Sequence, residues 1–249
     1  MHLYRVEDLS KSYGSLRVLD RLTFEVEQRE CLVIMGRSGC GKSVTLRLLN
    51  GLEPPDSGRI YFDGADIAGL SEVELYPVRR RVAMLFQSGA LFDSMNVLEN
   101  IAFPLREHTD LDDEAIAAKV AEKLAVVRLS GIEDKMPSDL SGGMRKRVAL
   151  ARSLALDPEA VLFDEPTSGL DPVTSATIAE LIQGARSPQG VTSVVVTHDI
   201  PLARRIGDRV AFLEDGSFRF IGTWDEADRS DDVSFRAFLA GQSEAVHAA

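Results

Sequence analysis

Gly36, Gly41, Lys42 and Ser43 lie at the spacing G-x-x-x-x-G-K-[ST] within GRSGCGKS, an arrangement that can cradle a polyphosphate. Glycines at 36, 39 and 41 let the backbone turn with φ > 0 and bring consecutive N–H groups to phosphate oxygens. Ser38, Cys40 and Val44 complete the cradle, and the helix that follows adds partial positive charge at its start. In this reading Lys42 holds the β- and γ-phosphates, and Ser43 offers its hydroxyl to Mg²⁺. A second chemical group is the adjacent carboxylate pair closing AVLFDE. Asp164 can hold the Mg²⁺ of a nucleotide, and Glu165 can polarise an attacking water as general base. Gln87 can reach Mg²⁺, that water or the terminal phosphate, and the His198 imidazole can touch the γ-phosphate. Ser141, Gly142 and Gly143 open a helix and offer its N-terminus to an anion. Tyr13 is an aromatic placed, in a predicted loop, where a ring can stack on a nucleobase.

These groups need elements that bring them to one place. An apolar strand over 32–35 precedes the glycine loop, and Val44, Leu46, Leu48 and Leu49 mark the helix after it. Three further runs, 82–86, 160–165 and TSVVVT at 192–197, read as core strands that end at Gln87, at the carboxylate pair and at His198. That shared position is the strand edge at which open α/β sheets bind ligands. Alternating runs at 3–9, 16–19 and 22–26, separated by KSYG and QRE, predict antiparallel strands flanking the cradle, with RIYFDG closing another pair. Ser71 caps a predicted helix to about Arg80. From residue 88 to 156 strand signals give way to helical ones, which predicts an inserted helical subdomain and two lobes. Asp112 or Asp113 caps one of its helices, whose stripe Ile116, Val120, Leu124 and Val127 reads as core. Asp171 and Pro172 start another helix, and a hairpin over 210–221 turns at Asp215 and Gly216. The fold class is therefore α/β, a P-loop core over 1–87 and 157–225 with an antiparallel β-subdomain and a helical insertion at 88–156. A C-terminal helix and a polar tail, QSEAVHAA, expected to fray, occupy 226–249.

Composition narrows the function. Lys and Arg total 28 against 39 Asp and Glu, a net charge of −11 with no basic tract, which argues against nucleic acid as a partner. MHLYRVEDLS carries charges too early for a signal peptide, and no apolar run nears the roughly 18 residues of a spanning helix, so a cytosolic chain is expected. Cys31 and Cys40 read as small core and loop residues in a reducing compartment, the alternative for Cys40 being a thiol made acidic by the helix N-terminus.

Together these residues resemble the ABC ATPases over about residues 3–225. GRSGCGKS resembles the Walker A motif, Gln87 the Q-loop, LSGGM at 140–144 the signature, VLFDE the Walker B motif with its catalytic glutamate, SGLD at 168–171 the D-loop, and His198 the switch histidine. Tyr13 matches the A-loop aromatic. The resemblance implies a head-to-tail homodimer in which each ATP lies between the Walker residues of one subunit and Ser141, Gly142, Gly143 and Asp171 of the other. A narrower resemblance, to the Mla group, rests on LFQSGALFDSMNVLENIAFPLREHT at 85–109 and on Met144 in place of the usual signature glutamine. It implies an ATPase at the cytoplasmic face of the inner membrane that drives phospholipid movement between envelope membranes. The implied partners are an MlaE-like integral membrane permease, an MCE-domain substrate protein and, where present, a small STAS-type regulatory subunit. Two other readings are an importer ATPase for a small polar solute and a soluble ABC ATPase without a transporter. Against the second, 249 residues without heptads leave no space for a long coiled-coil insertion or a second ATPase module.

Overall fold

A computed structural model describes residues 1–186 and 190–247. The strands are β1 (His2–Tyr13), β2 (Leu16–Glu27), β3 (Cys31–Met35), β4 (Ser57–Phe62), β5 (Ala65–Asp66), β6 (Val82–Leu85), β7 (Ala160–Asp164), β8 (Thr192–Val196), β9 (Arg209–Glu214) and β10 (Ser217–Thr223). The helices are α1 (Lys42–Leu49), α2 (Glu72–Arg81), α3 (Val97–His108), α4 (Asp113–Val126), α5 (Gly142–Ser153), α6 (Pro172–Arg186), α7 (Ile200–Ile206), α8 (Trp224–Asp228) and α9 (Val233–His247).

The central sheet has the order β10-β9-β3-β8-β7-β6, parallel except for the β9–β10 hairpin. Its β-branched and leucine-rich strands are buried on both faces, as a parallel sheet with covered faces requires. Val33, Val161, Phe163, Val195 and Phe212 face one core, whereas Leu32, Ile34, Leu162, Val194 and Leu213 face the other. Each such fully buried side chain stabilises the fold by about 1.5–3 kcal/mol. The second core is closed by α1 and by the antiparallel sheet β2-β1-β4-β5. Because β3, β6, β7 and β8 run in parallel, the segments that follow Met35, Leu85, Asp164 and Val196 emerge at one edge.

Three of the expected runs prove to be two long strands. Residues 16–19 and 22–26 both belong to β2, and β1 continues through KSY. Asp8 at φ 48° and Arg21 at φ 50°, with register shifts nearby, break the alternation at bulges, so the pattern reads as interrupted although the strands are not. Tyr13 accordingly ends β1, opposite Leu16, instead of lying in a loop. Within residues 88–156 the helices are α3, α4 and α5, with a short 3₁₀ turn at Pro137–Asp139. Ile101, Val120 and Val148 pack in the same cluster as Leu85, Val161 and Phe163 of the sheet. Asp112, not Asp113, caps α4 by accepting from the Ala115 N–H at 2.8 Å. At the other end α9 runs to His247, and the last two residues of the polar tail lie outside the described ones.

Lys123 on α4 is 1% exposed, and its ammonium donates to Asp157 and, at 2.8 Å, to Glu122. Partial burial alone pushes the Asp157 carboxyl up, but hydrogen bonds from Lys119 and Lys123 outweigh it and hold it below the ordinary aspartate range. A carboxyl depressed in the folded state stabilises above its unfolded pKa, and that contribution disappears as pH falls through the folded one. Asp157→Asn is therefore expected to lower stability by about 1–2 kcal/mol near neutral pH, less than for a fully buried pair because Asp157 is half exposed. Urea denaturation should show the deficit shrinking in acid; a constant deficit would remove the pair from the account.

Candidate active site

The loop from β3 to α1 is shaped by close approach. A Cβ on Gly36, at φ 156°, would lie 2.3 Å from the Leu213 carbonyl oxygen, and one on Gly41, at φ 106°, 2.6 Å from Leu19 Cδ2. The Leu213 carbonyl leaves no room for a side chain at Gly36, and the left-handed backbone at Gly41 is one that side chains rarely adopt. Lys42 is buried, its ammonium donating to the carbonyls of Gly36 at 2.8 Å and Arg37 at 3.0 Å, so the charge is held at the mouth of the loop. The Ser43 hydroxyl donates to Asp164 Oδ1 at 2.8 Å. Burial pushes the Asp164 carboxyl up, the Ser43 hydrogen bond opposes this, and the Glu165 charge adds to it. Cys40 does not become acidic: burial pushes its thiol up, and full burial pushes Cys31 up to about 12.

Glu165 leaves β7 at φ 46°, a left-handed backbone that turns its side chain out of the strand. Its N–H donates to the Val196 carbonyl at 2.9 Å. His198 Nδ1 lies 2.9 Å from both carboxylate oxygens, and the Thr197 hydroxyl donates to Oε2 at 3.3 Å. Because a carboxylate only accepts, Nδ1 carries the proton, and the half-exposed ring presents Nε2 elsewhere. The Gln87 amide donates to Ser168 Oγ at 3.2 Å.

These elements enclose a cleft of about 600 Å³, of a size suited to a nucleotide. It is lined by Gly36, Ser38, Gly39, Gly41, Lys42, Ser43, Val44, Gln87, Glu165 and His198, so most expected residues converge. Asp164 stands behind Ser43. Val18, Arg37 and Phe238 also line the cleft and were not legible as site residues. Val18 reads as an ordinary strand residue and Phe238 as the apolar face of a terminal helix, with no local motif around either.

Other expected residues lie outside the cleft. The Tyr13 hydroxyl donates to Glu53 and accepts from Arg47 at 3.4 Å, and Tyr13 is absent from the lining. Ser141 caps α5 through the Met144 N–H at 3.2 Å. A Cβ on Gly143 would lie 2.5 Å from Thr174 Cγ2, and Asp171 holds the Thr174 hydroxyl at 2.6 Å. The N-termini of α5 and α6 therefore lie side by side, with Ser141, Gly142 and Asp171 exposed.

A cradle with a lysine, a serine–aspartate pair and a strand-end glutamate at one parallel edge defines a P-loop nucleotide hydrolase. Residues 19–168 match the family model described as ABC transporter. The chain belongs to that family and is one of its ATP-hydrolysing cassettes. It is 43% identical over 240 residues to the intermembrane phospholipid transport system ATP-binding protein MlaF of Escherichia coli K12, covering 96% of this chain and 89% of that protein. It is 45% identical over 237 residues to the probable ribonucleotide transport ATP-binding protein mkl of Mycobacterium tuberculosis H37Rv, covering 95% of this chain and 66% of that one. The dimeric post-hydrolysis structure of the ATP-binding cassette MJ0796 with ADP and Pi superposes with a TM-score of 0.83 at 32% identity, covering 88% of this chain and 98% of that chain.

Proposed function

We propose that this chain is the ATPase subunit of a transporter that moves phospholipid between envelope membranes. The observation that carries the reading is its identity to MlaF along nearly the whole of both chains. Among the described residues no helix is long and apolar enough to cross a membrane, so the membrane path belongs to another subunit. In this reading the protein sits at the cytoplasmic face of the inner membrane beside a permease and an MCE-domain protein.

In the cleft, Lys42 holds the β- and γ-phosphates together with the loop N–H groups. Glu165 takes the proton of the attacking water, and His198 and Thr197 orient its carboxylate. Ser43, Asp164 and Gln87 suit Mg²⁺, because hydroxyl, carboxylate and amide oxygens are hard donors and a single carboxylate leaves coordination to nucleotide phosphates and water. When bound, that ion neutralises charge on the β- and γ-phosphates. Ser141, Gly142, Gly143 and Asp171 serve the partner's cleft across a dimer, which accounts for the exposure of Ser141, Gly142 and Asp171 outside their own. Tyr13 stacks on the base, with Glu53 and Arg47 fixing its hydroxyl end.

The segment after Gln87 supplies the docking surface. Phe92 is 42% exposed and pairs with the half-exposed Phe103 at 5.0 Å between ring centroids, and Phe86 is exposed nearby in sequence. A permease helix would cover this aromatic pair. Purifying the complex from its native membrane in detergent tests both parts of the reading. Wild type is expected to bring down an integral membrane subunit with bound phospholipid, whereas Phe92→Asp should lose the membrane subunit and keep ATP binding. Recovery of a soluble solute binder and a polar solute, a ribonucleotide included, would replace the phospholipid reading with the importer one.

A further inference from the structure

Lys146, 7% exposed on α5, belongs to none of the roles above. Its ammonium donates to the backbone carbonyl of Gln87 and, at 3.5 Å, to that of Glu165. Those two carbonyls follow different strands, β6 and β7. The same residues meet by a second route: the Gln87 amide donates to Ser168 Oγ at 3.2 Å, and the Ser168 N–H donates to the Glu165 carbonyl at 3.1 Å. Lys146, Gln87, Ser168 and Glu165 thus close a ring of hydrogen bonds. Farther along α5, Arg152 donates to the carbonyls of Gly89 at 3.0 Å and Ala90 at 2.8 Å. Between them a Cβ on Gly89 would lie 3.2 Å from Ala149 Cβ. Residues 87–90 are therefore laid along the helix that Ser141 caps, gripped by a cation at each end.

A buried ammonium is expensive to desolvate, and an apolar side chain would fill the space more readily unless the donors hold something in place. What they hold here is the backbone of two residues that line the cleft, Gln87 and Glu165. One of them, Glu165, has a left-handed conformation that its surroundings must enforce. We propose that Lys146 is a positioning residue for hydrolysis, tying Gln87 and Glu165 to α5 so that the signature end of that helix and the two groups at the reacting phosphate shift as one piece. The proposal rests on the reading of Glu165 as base. It predicts that turnover depends on the ammonium far more than nucleotide affinity does, since Lys42, Ser43 and Asp164 share no hydrogen bond with the ring and only Gln87 belongs both to it and to the Mg²⁺ donors.

The test compares Lys146→Met, Lys146→Arg, Ser168→Ala and the double variant Lys146→Met with Ser168→Ala in the full chain within its purified complex. Lys146→Met is expected to lower kcat about tenfold or more with ATP affinity kept within about threefold, because displacing a reacting group costs rate and not ground-state binding. Lys146→Arg keeps the donors and should turn over faster than Lys146→Met. The double variant should lose little more than the worse single one, because both break the same ring. Unchanged kcat in Lys146→Met, equal loss in the Arg and Met variants, or additive losses would each overturn the proposal. Should Lys146→Met fail to fold, Ser168→Ala decides: the ring predicts lower kcat with ATP affinity kept within about threefold, and unchanged kcat contradicts it. Glu165→Gln measured in parallel separates the two readings, since near-normal turnover there would overturn the base assignment whatever Lys146 does.

Discussion

Glu165→Gln is expected to lower ATP turnover by about 10²-fold or more while ATP still binds, because the amide cannot accept the proton of the attacking water. The substitution is nearly isosteric and leaves the surroundings in place. Lys42 keeps its hold on the glycine loop, and Ser43 remains bonded to Asp164. The φ of 46° at Glu165 is set by backbone partners, the Val196 carbonyl and the Ser168 N–H, which do not depend on the side chain. The His198 and Thr197 donors lose their anion but keep an acceptor in the amide oxygen. Binding and chemistry should therefore separate, with ATP accumulating on the protein. Phosphate release under saturating ATP, beside retained ATP after gel filtration, measures both at once. Near-normal turnover would remove Glu165 from the mechanism.

The chemistry was legible because local strings dictate it. Glycine is needed at 36, where a Cβ would strike the Leu213 carbonyl, and favoured at 41 by its left-handed backbone, so the string over 36–43 carries its own local signature. The adjacent carboxylates after an apolar run do the same, and the parallel sheet explains why Gln87 and His198 join them. What stayed hidden depends on contacts far apart in sequence. Val18 reaches the cleft because β2 passes the loop, and Phe238 because the last helix packs on Phe212. Neither fact has a local signature. The bulges at Asp8 and Arg21 make two strands look like three. Cys40 was ambiguous for a related reason: a helix N-terminus favours a thiolate, burial opposes it, and only the fold shows that burial prevails.

Within one chain, the exposed N-termini of α5 and α6 lie outside the cleft, and only across a dimer would they reach one. Two damaged chains test this. A Lys42→Ala subunit loses its cradle and keeps Ser141, whereas a Ser141→Arg subunit keeps its cradle and places a bulky cation where α5 begins. Each homodimer carries two broken sites. In the mixed dimer both lesions fall in one site, and the other combines an intact Lys42 with an intact Ser141. Setting Glu165→Gln in both chains removes any need for two sites to cooperate in hydrolysis, because the readout is trapped ATP alone. Mixed dimers isolated by two different affinity tags should retain about one ATP per dimer through gel filtration and either homodimer little, since only a complete site has donors on both sides of the phosphates. Mixed dimers that trap no more ATP than the homodimers would contradict the shared site.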